Sequence, residues 1–291
     1  MPTMRLRVSS LLWSMLRIVS FTAILCIGRA VALQTQAPQT PQQTQARDLL
    51  NQGVQAYKNG QHDEAARLFE QAKNLDPSLL NARLYLATTY ASQCIPGAPS
   101  EENRRIGERA IEEYKGVLVI DPQNLSAIDG IGSLLFQMSG APFNPDGFLE
   151  SKSYHQKHLE IKPGDPEPYY WIGVIDWTLA FRANGELRQD QNKARSRGLR
   201  DTDPLPADLR EQYTREFGPT IDEGIASLQK AIARRTEYDD AMAYLNLLYR
   251  RKADVAETQA QRDELTKMAD ELIDKVKDIK QKRAASQPQQ P

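Results

Sequence analysis

Apolar residues recur every three to four positions along most of the chain, the spacing at which side chains share one face of an α-helix. The clearest example is residues 46–77, "ARDLLNQGVQAYKNGQHDEAARLFEQAKNLDP". Gly60 interrupts the periodic pattern and Pro77 ends it, which indicates two helices joined by a turn. Because Gly53 and Ala65 are small, the two helices can approach closely. The pattern therefore predicts a closely packed helix pair.

The spacing of small residues in this segment recurs along the chain. We call the residue that ends each helix pair, Pro77 in the first, the closing residue. A small residue in the second helix of the pair lies 12 positions before it, and a small residue in the next helix along the chain lies 10 positions after it. The 12-residue spacings join Ala65 to Pro77, Ala110 to Pro122, Ser151 to Pro163 and Gly224 to Thr236. The 10-residue spacings join Pro77 to Ala87, Pro122 to Gly132, Pro163 to Gly173 and Thr236 to Asn246. Asn246 departs from the pattern, since glycine or alanine is expected there.

This register resembles the tetratricopeptide repeat (TPR), whose 34-residue unit is a helix-turn-helix. The resemblance implies an all-α fold, a right-handed TPR-like α-solenoid of helix-turn-helix repeats with insertions at the turns inside the repeats. The predicted repeat domain covers residues 46–282, with units near 46–79, 80–124, 125–165, 166–238 and 239–280.

The turn between the two helices is longer in the second, third and fourth units, by 11, 7 and 39 residues. Stacked repeats keep one orientation, so these insertions are expected along one edge, either as a binding face or as tolerated exposed loops. The longest insertion spans residues 178–218. Its second half predicts a helix that starts at Pro206 and stops at Gly218. One face of that helix carries Leu209, Tyr213 and Phe217.

The first half of the long insertion, residues 182–200, is rich in basic side chains. Its cations are Arg182, Arg188, Lys193, Arg195, Arg197 and Arg200, against only Glu186 and Asp190. Two interpretations stay open at this point. The segment is either a surface for an acidic protein or an anionic envelope polymer, or a solvated loop with no binding role.

The N-terminal 32 residues differ from the rest of the chain. They contain four arginines, no acidic residue, and the apolar run "IVSFTAILCIG" followed by Ala30-Val31-Ala32. This is the pattern of a secretory signal peptide, and the run is shorter than the roughly 20 residues that span a bilayer. We therefore expect an exported protein, periplasmic or secreted, with an uncleaved inner-membrane anchor as the alternative. Residues 33–45 and 283–291, rich in Gln and Pro, are predicted to be disordered.

Removal of residues 1–32 would change the formal charge from −1 to −5, because four arginines leave. A mildly acidic chain argues against nucleic acid as a partner. Cys94 would then be the single cysteine. It either links two chains as a disulfide-bonded homodimer or is tucked into a loop.

The resemblance also implies a concave groove lined by positions 5, 9 and 12 of each repeat, counted from the first residue of the unit. The partner-binding candidates at these positions are Tyr57, Phe136, Tyr170, Trp177 and Arg250. Aromatic anchors in a concave surface suit an extended peptide or a partner helix. Trp177 has a second interpretation, in which the long insertion folds over it. The insertion adds the candidates Arg182, Arg188, Arg195, Arg197, Tyr213 and Phe217.

The sequence contains no G-x-S-x-G, H-E-x-x-H, P-loop or G-x-G-x-x-G motif. His155 and His158 are three residues apart, but no carboxylate or cysteine at matching spacing completes a metal set. We therefore predict no catalytic residue, no metal and no cofactor. The expected function is a non-catalytic scaffold that recognises a protein or peptide in the periplasm or cell envelope. The alternative is an envelope-assembly or anionic-polymer-binding factor that acts through residues 182–200.

Overall fold

The computed structural model describes residues 40–194, 198–200 and 203–286. The predicted signal peptide, residues 33–39 and the last five residues lie outside the described residues. Arg195 and Arg197 also lie outside them. Everything below concerns the described part of the chain.

Ten α-helices make up this part of the structure, and it contains no β-strand. They are α1 (Pro41–Lys58), α2 (His62–Leu75), α3 (Leu80–Gln93), α4 (Glu101–Ile120), α5 (Leu125–Met138), α6 (Pro145–Ile161), α7 (Pro166–Ala194), α8 (Ala207–Arg234), α9 (Asp239–Asp254) and α10 (Gln259–Ser286). From α2 onward each helix packs on the next one along the chain, and α3–α5 and α7–α9 also touch. Contacts between near neighbours in sequence are those of a solenoid. The all-helical repeat architecture predicted from the sequence is confirmed.

Small residues set the close approach between paired helices. A Cβ atom at Gly53 would lie 2.5 Å from the ring of Phe69, and one at Gly173 would lie 2.3 Å from Cγ of Leu228. In the third pair the hydroxyl of Ser151 donates a hydrogen bond of 2.7 Å to the carbonyl of Gly132. The recurring small residues of the sequence therefore mark the points where helices touch.

Two alanine substitutions in α7 are expected to have opposite effects. Gly173→Ala should lower the free energy of unfolding by about 1–3 kcal/mol, because the new methyl group overlaps Leu228. Gly185→Ala should raise it by about 0.5–1 kcal/mol, because nothing lies within 4 Å and glycine is the poorer helix former. Urea titrations of the two variants measure both changes. Equal effects would show that the contact between α7 and α8 is looser than described.

Helices extend into both segments that were predicted to be disordered. α1 begins at Pro41 rather than at residue 46, so residues 41–45 are helical. Proline suits the first turn of a helix because that turn needs no N–H donor. At the other end α10 continues to Ser286, where Arg283 pairs with Asp239 at 2.8 Å and donates to the carbonyl of Glu237. The disorder prediction was wrong for these nine residues.

The long insertion is built mostly from helix. α7 continues from the repeat through Ala194, and α8 starts at Ala207, one residue after the predicted Pro206. The predicted stop at Gly218 was wrong, because α8 continues through Gly218 and Pro219 to Arg234. Buried side chains on both sides of this point, Tyr213 and Ile221, belong to one apolar cluster, which accounts for the continuation of the helix.

The apolar core is divided along the solenoid. One cluster extends from Leu50 to Leu134 and a second from Ala180 to Ile279, with a small third cluster of Phe148, Ile175 and Leu179. Between the two large clusters, α6 buries mainly polar side chains. They are Ser151, Lys152, His155 and His158. No helix in the described residues has the length and apolarity needed to cross a membrane.

Candidate functional site

A ladder of aromatic rings connects α5, α7 and α9. We define the ladder as Phe136, Trp171, Tyr170, Tyr244, Trp177 and Phe181. Successive ring centroids are 5.1–5.9 Å apart, and most pairs meet edge to face. This is the favoured geometry of aromatic pairs. Phe181 is 46% exposed and the other rings are partly buried, so the ladder presents aromatic surface to solvent.

A second apolar feature lies where α1 and α2 meet α3. Val54, Tyr57 and Lys58 from α1, Phe69 from α2, and Tyr85 and Thr88 from α3 line a pocket of about 300 Å³. Tyr85 is 38% exposed, and the ring of Tyr57 packs edge to face on His62 at 5.1 Å. The pocket offers a mainly apolar surface with one cation, Lys58, beside it.

A buried ion network joins α6, α7 and α8. The Nζ of Lys152 lies 2.7 Å from Oδ1 of Asp176 and 2.8 Å from Oε2 of Glu223. The side chain of Asp176 is fully buried, and burial raises its pKa to about 7 although Lys152 acts in the opposite direction. Burial lowers the pKa of Lys152, but Asp176 and Glu223 more than offset this and raise it overall. Lys152 thus holds together three helices from two repeats.

Two buried histidines lie beside this network. His155 stacks on Trp171 with ring centroids 6.0 Å apart, and its Nε2 has no hydrogen-bond partner. Burial, with a smaller contribution from His158, lowers the pKa of His155 to about 4. Nδ1 of His158 lies 2.7 Å from Oδ1 of Asp129, whose pKa is raised by burial. The described residues contain no group of three potential metal ligands.

The neutral His155 should make the fold sensitive to acid. Its folded-state pKa lies below the value of 6.5 for a free imidazole, so its contribution is present above pH 6.5 and lost as the pH falls to about 4. The full shift corresponds to about 3 kcal/mol. Urea unfolding at pH 7, 5 and 4 should show that His155→Leu reduces the loss in free energy of unfolding between pH 7 and pH 4 by up to about 3 kcal/mol. The same change at His62 is the control, and equal pH profiles for wild type and His155→Leu would contradict the assignment.

Comparison with known proteins bears on the fold. No family model matches the chain, and no curated protein matches it. Among solved structures, the crystal structure of MamA is 16% identical and covers 85% of this chain and 98% of its own, with a TM-score of 0.55. MamA 41-end from Desulfovibrio magneticus RS-1 is also 16% identical, covers 82% and 96%, and has a TM-score of 0.53.

A third similar structure is described as a TPR protein. YrrB, a TPR protein with an unusual peptide-binding site, is 14% identical, covers 80% of this chain and 86% of its own, and has a TM-score of 0.50. The chain has the TPR fold. At these identities the similarity concerns the fold, and the spacing of small residues agrees with it.

TPR positions explain how the structure arranges the predicted groove residues. Tyr57, Phe136, Tyr170 and Trp177 all lie on the pocket or the ladder and are partly buried. That they contact a partner stays a prediction. Trp177 stacks on Phe181, which lies one turn further along α7 at the start of the insertion. It also meets Tyr244 of α9 edge to face. Arg250 differs, because its guanidinium pairs with Asp270 of α10 at 2.7 Å and with Asn246 at 3.0 Å.

Position 6 of the TPR unit was missed by the sequence analysis. It holds Tyr85, Trp171 and Tyr244, which complete the pocket and the ladder. Only positions 5, 9 and 12 were carried along the chain. Three aromatic residues at one repeat position in the second, fourth and fifth units are a signal that the sequence alone provides.

The insertion residues are mostly structural. Arg188 is 3% exposed and pairs with Asp254 of α9 at 3.2 Å. It also donates to Oδ1 of Asn184 and to the carbonyls of Arg200 and Asp203, at 2.7, 2.8 and 2.9 Å. Its proposed contact with a ligand was wrong, because a buried guanidinium with these partners is not available at the surface.

Tyr213, another partner-binding candidate of the insertion, is fully buried. Its hydroxyl donates to the carbonyl of Ala180 at 2.7 Å, and burial raises its pKa. Phe217 stacks on Tyr213 and is partly buried. Arg182 remains exposed, with its guanidinium 4.7 Å from the ring centroid of Phe143.

Cys94 lies at the end of α3 and is 6% exposed. Burial raises the pKa of its thiol, so it is less readily ionised than a free cysteine. Its Sγ lies 3.8 Å from the carbonyl of Asn103. The structure therefore matches the interpretation of a thiol tucked into a loop, and it gives no support to a disulfide-linked homodimer.

Proposed function

We propose that this protein is a non-catalytic scaffold that binds an extended segment of a partner protein in its TPR groove. The observation that carries this proposal is the pocket between the first two repeats. Residues from two separate units meet there around an apolar space, Val54, Tyr57 and Thr88 at groove positions and Tyr85 at position 6. Surface that stays apolar and partly open in a folded chain is typical of binding sites.

The ladder supplies a second set of anchors on the same series of first helices. Aromatic side chains contribute strongly to binding because they offer large, rigid contact areas. Their mutual packing in the ladder fixes ring positions before a ligand arrives, which reduces the entropy lost on binding. YrrB, whose fold is similar, is described as having a peptide-binding site. A peptide segment with two spaced apolar or aromatic side chains fits both features.

We propose further that the protein works after export, in the periplasm or outside the cell. The support is the basic, apolar and A-x-A pattern of residues 1–32. N-terminal sequencing of the protein purified from its native source should give a first residue near position 33. An intact N-terminus in the membrane fraction would instead indicate an anchor.

The basic segment, residues 182–200, gives little support to a polymer-binding surface. Arg188 is buried, Arg200 pairs with Asp203 at 2.8 Å, and Lys193 pairs with Asp190 at 2.9 Å. Deletion of the whole insertion, residues 178–218, would not test its role in binding, because it would also remove the buried Tyr213 and Arg188 from the core.

Selection from a phage-displayed random peptide library tests the groove directly. Peptides that bind the wild type should bind the double variant Tyr57→Ala/Tyr85→Ala at least about tenfold more weakly, because hot-spot aromatics contribute about 2 kcal/mol or more each. Val119→Ala on α4 is the control, since Val119 is 84% exposed and lies outside the groove. Circular dichroism confirms folding of each variant. Equal affinity for the double variant and the wild type would place recognition elsewhere.

A further inference from the structure

An open furrow lies between α4 and α6, the second helices of the second and third repeats. Its volume is about 640 Å³, within the roughly 300–1,000 Å³ range of clefts that hold ligands. Ile111, Leu135 and Met138 form an apolar floor. The furrow is distinct from the groove described above, because the pocket and the ladder are formed by other residues.

The shape of the furrow favours a chain rather than a compact molecule. Its wall on α4 runs from Arg104 to Lys115. The eleven helical steps between these two residues cover about 16 Å, the length of about five residues of extended peptide. At the Arg104 end the furrow continues into a second pocket that shares Arg104, Met138 and Pro142 with it. The longer turns of the second and third repeats therefore prolong one continuous surface.

The charges around the furrow select the kind of partner. Two carboxylates are paired, Glu150 with Lys115 at 3.5 Å and Glu108 with Arg104 at 3.9 Å. Glu112 and Asp146 also line the furrow, are exposed, and have no ion-pair partner among the described residues. The rim thus carries two negative charges in excess over an apolar floor. A bound segment needs both cationic and apolar side chains to match it.

We propose that this furrow binds a short cationic peptide segment of another protein. An apolar side chain of the segment rests on Ile111, Leu135 and Met138, and flanking Lys or Arg side chains pair with Glu112 and Asp146. The site is independent of the TPR groove, so one protein could hold a groove ligand and a furrow ligand together. Such a second site would make the chain an adaptor between two partners.

Fluorescence anisotropy with the labelled peptide KLKLKLK tests this proposal, with ELELELE and KSKSKSK as matched probes. The wild type should bind the first probe and neither of the others. Glu112→Gln/Asp146→Asn should weaken binding about tenfold and reduce its dependence on salt. Glu271→Gln/Asp278→Asn on α10 removes the same net charge from exposed positions and should leave binding unchanged.

Three outcomes would overturn the proposal. Equal weakening by the two charge variants would mean that the probe senses only overall charge. Loss of binding in Tyr57→Ala/Tyr85→Ala would place the probe in the groove, which separates this proposal from the function proposed above. Self-association of the unlabelled protein that excludes the probe, measured by analytical ultracentrifugation, would make a second copy of this chain the occupant.

Discussion

Replacement of Lys152 by methionine is expected to lower the free energy of unfolding by about 3–5 kcal/mol, as measured by urea titration at pH 8. Methionine fits a similar volume but leaves the carboxylate of Asp176, fully buried, without its cation. One oxygen of Asp176 already has no hydrogen-bond partner in the wild type. A buried charge that loses its partner is costly because the remaining ion is still removed from water.

The free energy of unfolding that Lys152→Met loses should depend on pH, with a direction set by Asp176. The folded-state pKa of Asp176, about 7, lies above the usual value of 3.8, so the folded protein retains this proton to higher pH than the unfolded chain. Stability from this group therefore falls as the pH rises from about 4 to about 7 and is constant above that, and loss of Lys152 raises the pKa further. The penalty should consequently be smaller at pH 5 than at pH 8.

Two variants control this experiment. Lys115→Met removes an exposed ion pair with Glu150, with side chains 52% and 47% exposed, and should cost less than about 1 kcal/mol. Lys152→Met/Asp176→Asn removes the buried charge together with its partner and should recover much of the lost stability. If Lys152→Met and Lys115→Met have the same effect, the buried network does not hold the three helices together.

Arg188→Met is expected to loosen the long insertion, with a loss of about 2–4 kcal/mol in its local stability. The guanidinium connects α7 to α9 and to the return segment at Arg200 and Asp203. Without it the carbonyls of that segment lose charged donors, while Asp254 keeps its ion pair with Arg251 at 3.1 Å. Hydrogen exchange measured by mass spectrometry should therefore quicken by at least tenfold over residues 203–213.

Arg182→Met is the matched control for this variant. It lies on the same helix, but its guanidinium is exposed and rests on the ring of Phe143. A change of less than about 1 kcal/mol and unaltered exchange over residues 203–213 are expected. Equal exchange in Arg188→Met and the wild type would mean that the return segment is held by other contacts.

The fold was predictable because its signal is repeated. One small residue proves little, but spacings of 12 and 10 residues that recur four times fix where paired helices touch. The continuation of α8 through Pro219 was not predictable from local residue preferences. Tertiary contacts account for it, since Pro219 lies between side chains that the same apolar cluster buries.

The site was predictable only in part. The groove positions of the repeat predicted Tyr57, Phe136, Tyr170 and Trp177, and the structure places these residues on the pocket or the ladder. Arg188 was misread because exposure of a cation cannot be judged from its sequence neighbours. Its partner Asp254 lies 66 positions further along the chain. The furrow between α4 and α6 was missed for the same reason, since it depends on helices that are separate in sequence.

The polar interior of α6 bears on what a ligand of the ladder would connect. Ser151, Lys152, His155 and His158 lie between the two large apolar clusters, beside the small cluster of Phe148, Ile175 and Leu179. The ladder passes this point where Phe136 of α5 meets Trp171 of α7. A ligand that contacts both rings would bridge the third and fourth repeats, so its binding free energy would add to the stability of the contact between them.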